Sequence, residues 1–97
     1  MDIGKAILLC RTRRGLSQAK LAERIGCSVS YLSLLENGRR DPPISMIEKI
    51  ANALQVPPNI LIFLAADTND LVGINKELAG DLARTALDLL NEQLSDD

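Results

Sequence analysis

The sequence predicts an all-α chain of five short helices followed by one longer amphipathic helix, and three observations carry that expectation. Apolar residues make up 46%, yet one Phe, one Tyr and no Trp leave a core of Leu, Ile and Ala, a mixture that favours helices over a β-sandwich. Apolar positions recur at spacings of three and four, and the first four runs stop at Gly or Pro. The last segment gathers Leu and Ala on half of a helical circumference. A chain of 97 residues fits one compact domain and leaves no room for a second, catalytic one.

Ile3, Ala6, Ile7, Leu9 and Cys10 form the first stripe, with Arg11, Arg13 and Arg14 in the last turn, where cations suit the negative end of the helix dipole. Gly15 breaks the run. Ser17 is a good cap for a second helix, whose apolar positions Ala19, Leu21, Ala22 and Ile25 end at Gly26, a residue suited to a left-handed stop. Ser28 caps a third helix, with Leu32 and Leu35 facing inward and Asn37-Gly38 closing it. After the proline-bearing loop from Arg39 to Pro43, Ser45-Met46-Ile47-Glu48 reads as a capping box opening a fourth helix through Ile47, Ile50, Ala51 and Leu54. Pro57-Pro58 halts that helix and starts a fifth, filled by Ile60, Leu61, Phe63 and Leu64.

Asp67 to Asp70 reads as a polar link into the last helix. Between Asn75 and Ser95 the Leu and Ala side chains project over one half of the circumference, and Gly80, Asp81, Arg84, Thr85, Asp88, Asn91, Glu92 and Ser95 over the other, with Gln93 the main exception. That stripe is wider than a surface helix needs to dock on one neighbour. Leu78, Leu82, Ala86, Leu89 and Leu90 are therefore expected to meet a second copy of the chain, with folding back on their own domain as the alternative.

The formal charge of −2 hides an asymmetry: residues 1–66 hold nine Lys or Arg against five acids, and residues 67–97 hold two against eight. A balance of +4 beside one of −6 suits a part that binds a polyanion joined to a part that stays off it. The absence of His and the presence of only two Cys leave no nucleophile–base pair and too few ligands for a structural zinc site, so neither enzyme nor metal or other cofactor is expected. Cys10 and Cys27 sit at apolar positions and read as small core residues rather than redox groups. No run of about 18 uncharged apolar residues could cross a bilayer, and the charges between Ile3 and Leu16 do not fit a signal peptide, so a cytoplasmic place is expected.

The register Arg11, Gly15-Leu16-Ser17-Gln18, Leu21-Ala22, Gly26, Ser30-Tyr31-Leu32-Ser33 and Glu36-Asn37-Gly38 resembles the phage repressor and Cro-type (XRE-like) helix-turn-helix family, from about Ile3 to Leu64. The resemblance implies a five-helix DNA-binding domain over 1–66, and 67–97 are expected, from the Leu/Ala stripe alone, to be linker and dimerisation helix. It implies a regulator of transcription, a repressor first, that reads double-stranded DNA as a homodimer. It also implies that Gln18 clamps a phosphate beside the groove, while Arg11 and Glu36 form a partly buried structural ion pair.

The third helix would project into the major groove, which admits an element of that width. With Leu32 and Leu35 inward, Ser28, Val29, Ser30, Ser33 and Leu34 are left to look out at bases. Val29 and Leu34 stand where the family usually places polar or basic residues, so contact with thymine methyl groups and modest specificity are expected. Ser17, Tyr31, Asn37, Arg39 and Arg40 are candidates for the sugar–phosphate backbone. An interaction module, such as an antitoxin or anti-regulator with a protein partner, is the alternative function.

Overall fold

A computed structural model describes residues 2–66 together with Asp81, Arg84, Thr85, Leu87, Asp88, Leu90 and Asn91. Among the described residues there are five helices and no strands: α1 (Ile3–Arg13), α2 (Gln18–Ile25), α3 (Val29–Glu36), α4 (Ile44–Leu54) and α5 (Pro58–Ala65). The described residues from Asp81 to Leu90 are also helical. The all-α expectation therefore holds. α1 lies mainly against α5 and also touches α3 and α4, α2 bridges α3 and α4, and α4 packs on α5.

Short helices of about eight residues are marginal alone, so their ends and their buried faces decide whether they form. Asp2, Ser17 and Ser28 each stand just outside a helix, and each side-chain oxygen accepts the backbone N–H of the residue three further on. Gly26 closes α2 at φ +75°, a left-handed angle that only glycine adopts without strain. The Cys27 N–H then reaches back to the Ala22 carbonyl at 3.0 Å. The chain leaves this turn already aimed into the Ser28 cap.

α4 begins differently from the expectation. Pro43 is its N-cap with no side-chain bond, and its carbonyl receives Met46 N–H at 2.9 Å and Ile47 N–H at 3.1 Å, so the Ser45–Glu48 capping box does not form. Pro43 at φ −65° and ψ 161° turns the chain into the helix one residue before Ser45, which leaves the serine inside the first turn. At the other end Gln55 takes the left-handed angle at φ +55° without being glycine, and Arg14 Nη2 donates to its carbonyl at 3.0 Å.

The core is aliphatic: Ile7, Leu21, Leu32, Leu35, Ile50, Leu54 and Leu61 are fully buried. Cys10 is buried with them, and desolvation pushes its thiol up to about 11, so it stays protonated and behaves as a small apolar group. Cys27 is only half-buried; burial raises its thiol as well, and its Sγ lies 3.4 Å from the Ser28 carbonyl. At Gly4 the backbones of α1 and α3 meet, and a Cβ added there would overlap the Leu35 carbonyl oxygen and stand 3.1 Å from that of Glu36.

Leu78, Leu82, Ala86 and Leu89 lie outside the described residues. Leu90 is 1% exposed and belongs to the core, with Leu87 half-buried beside it. Arg13 Nη1 donates to Asn91 Oδ1 at 3.1 Å in the same place. Leu90 is thus already covered by its own chain, and its area is not free for a second one.

Candidate nucleic-acid interface

α2, the Gly26 turn and α3 set one face of the domain toward solvent. Behind α3, Leu32 and Leu35 are fully buried; in front, Val29 is 44% and Leu34 36% exposed. Ser28 and Ser30 are exposed, and Ser33 is half-buried. Ser30, Ser33, Leu34 and Asn37 stand at positions i, i+3, i+4 and i+7, so they share one side of the helix. Tyr31 is half-buried with its side chain against the core.

The end of α3 is held by a run of backbone bonds. Asn37 N–H reaches the Ser33 carbonyl at 3.0 Å, Gly38 N–H that of Leu35 at 3.1 Å, and Arg39 N–H that of Leu34 at 3.0 Å. Asn37 Nδ2 also donates to Ser33 Oγ at 3.3 Å. Asn37, Arg39 and Arg40 are exposed where the chain leaves the helix, and two adjacent guanidinium groups at that point are suited to phosphates. Ser17 is exposed at the start of α2, where its hydroxyl accepts Lys20 N–H at 3.0 Å. The unpaired N–H groups of that first turn carry partial positive charge.

Beneath this face lies a buried charge network. Arg11 Nε donates to Glu36 Oε2 at 2.7 Å and Nη2 to Oε1 at 3.1 Å, with Arg11 9% and Glu36 5% exposed. Arg11 Nη1 donates to the Leu16 carbonyl at 2.9 Å. The pair therefore ties α1, the loop before α2, and the end of α3 together. Gln18 joins it: its Nε2 donates to Glu36 Oε1 at 2.8 Å. Sequence reasoning placed Gln18 toward DNA and missed that partner, which is 18 residues away and carries no local signature.

Two further features had no signal in the pattern. Ile44, in the first turn of α4, is 75% exposed, and Arg24 and Lys49 come together around a shallow depression of about 430 Å³ between α2 and α4. Among the described residues no group of three or more His, Cys, Asp or Glu could hold a metal ion. None of the described helices is long and apolar enough to cross a membrane.

The family model described as Helix-turn-helix matches residues 7–61. The chain is 35% identical over 94 residues to the "Competence pilus inhibition repressor" of Acinetobacter baylyi, covering 97% of this chain and 82% of that protein. It is 36% identical over 62 residues to the "Immunity repressor protein" of Bacillus phage phi105, covering 64% of this chain and 43% of the phage protein. The chain therefore spans less than half the length of the phage relative. Among solved structures, the restriction-modification controller protein C.AhdI from Aeromonas hydrophila is similar at a TM-score of 0.59 and 37% identity, over 61% of this chain and 89% of that one.

Proposed function

We propose, for a chain that belongs to the phage repressor-type (XRE-like) helix-turn-helix family of DNA-binding transcriptional regulators, that it is a dimeric repressor which lays α3 in the major groove of duplex DNA. The outward face of α3 carries this reading: Val29 and Leu34 stand exposed among serines while Leu32 and Leu35 anchor the helix from behind. Neither Val29 nor Leu34 can donate a hydrogen bond, so they contact thymine methyl groups, and Ser28, Ser30 and Ser33 add less selective hydroxyl bonds. Ser17, Gln18, Asn37, Arg39 and Arg40 flank that face and hold the sugar–phosphate backbone. Repression rather than activation is supported by the names of the Acinetobacter and phage relatives. Its place of work is the cytoplasm, where such DNA lies.

The second copy binds through the C-terminal helix. On the helical projection Leu87 and Leu90 fall at one edge of the Leu/Ala stripe, and these two pack on the chain's own core. Leu78, Leu82, Ala86 and Leu89 fall at the other edge, which leaves them for the partner. The similarity to the Acinetobacter repressor runs over 94 residues and so includes this segment.

Titration of random duplex DNA at several salt concentrations tests the DNA reading. Four guanidinium groups, from Arg39 and Arg40 of two subunits, release about four counterions, which gives a log–log slope of roughly −4. A flat response would contradict the reading and favour a protein as the main partner, as for an antitoxin or anti-regulator.

A further inference from the structure

We infer that Glu36, with its charge neutralised by Arg11, fixes the side-chain amide of Gln18 in the one orientation that leaves a single N–H for a DNA phosphate. Glu36 and Arg11 are then positioning residues for that contact as well as a link between helices. The inference rests on the proposed docking of α3 in the groove.

Gln18 opens α2, directly after the Ser17 cap, and its side chain is half-buried. Its Nε2 lies 2.8 Å from Glu36 Oε1. An ionised carboxylate only accepts hydrogen bonds, so the amide must turn its nitrogen inward; the flipped orientation would set two acceptors against each other. One amide N–H is thereby committed to Glu36. The other leaves the same nitrogen at about 120° to the first and is the only side-chain donor Gln18 keeps for a ligand.

Charge explains why Arg11 belongs to the device. Glu36 alone would hold a negative charge within one amide group of a bound phosphate, and in a part-buried setting that repulsion would rival the hydrogen bond it supports. Arg11 meets the carboxylate on both oxygens, at 2.7 and 3.1 Å, so the pair is neutral toward DNA. A phosphate then meets a donor held in place by a neutral base. The network spans α1, α2 and α3, so the clamp at the start of α2 keeps a fixed distance from the end of the recognition helix.

The test is a cycle of duplex-DNA affinities, each corrected for the folded fraction. Gln18→Ala is measured in the native background and in Arg11→Met/Glu36→Met, where the holder is removed without stranding a buried charge. In the native background Gln18→Ala lowers affinity about tenfold, as expected for a bond to a charged group. In the Met/Met background the same change costs about twofold or less. An equal cost in both backgrounds overturns the positioning role while leaving Gln18 as a DNA contact; no cost in the native background overturns the contact itself. If the Met/Met variant does not fold, the Gln18 side-chain amide protons of the unaltered protein decide. On addition of DNA one proton shifts and its geminal partner keeps its position; movement of both, or of neither, overturns the inference.

Discussion

Glu36→Ala is expected to remove about 3 to 5 kcal/mol of folding stability, most of what a domain of this size has. The carboxylate accepts from Arg11 Nε, Arg11 Nη2 and Gln18 Nε2, and its removal strands a guanidinium that is 9% exposed with only the Leu16 carbonyl left to it. The cost is that of an uncompensated buried cation, not the net worth of the pair. Arg11→Met/Glu36→Met is accordingly expected to regain most of the loss, because two unbranched apolar side chains fill the space without a charge to solvate. Urea unfolding measures both. A loss under about 1 kcal/mol for Glu36→Ala would mean that the pair is solvated and does not tie α1 to α3.

Gly4→Ala is expected to lower the melting temperature by about 10 °C, from a loss of roughly 2 kcal/mol. Two effects oppose each other here. Glycine inside a helix is about 1 kcal/mol worse than alanine, so propensity alone predicts a gain. The added Cβ, however, would overlap the Leu35 carbonyl oxygen, an atom of a backbone fixed by the last turn of α3 and unable to rotate away. Overpacking against backbone wins over propensity. The forced separation of α1 from α3 also pulls on the Arg11–Glu36 pair, so DNA affinity should fall with stability. A calorimetric scan that shows an unchanged or raised midpoint would contradict this close approach.

Much of the architecture was legible because its punctuation is local. Ser17 and Ser28 announce helix starts through a bond to a backbone three residues on, and Gly26 announces a stop through an angle only glycine takes easily. The Ser45 box misled because the same local logic did not weigh Pro43, whose fixed φ starts α4 two residues sooner. Gln55 shows the converse, a left-handed stop held without glycine. Contacts across the fold left weaker traces. The bond from Gln18 to Glu36 and the seat of Leu90 depend on which helix faces are brought together, and a helical projection gives the width of an apolar stripe but not which neighbour takes each edge. The outward face of α3 was legible by subtraction, since fixing Leu32 and Leu35 inward leaves Val29, Ser30 and Leu34 exposed and Ser33 half-buried beside them.

Selection of bound duplexes from a random pool, followed by sequencing, tests the reading of α3 most directly. The account predicts enrichment of an inverted repeat whose half-sites are rich in T and lie about one DNA turn apart, with Leu34→Ala relaxing the preference for T within each half-site. Recovery of duplexes with no shared sequence, or a preference untouched by Leu34→Ala, would contradict it.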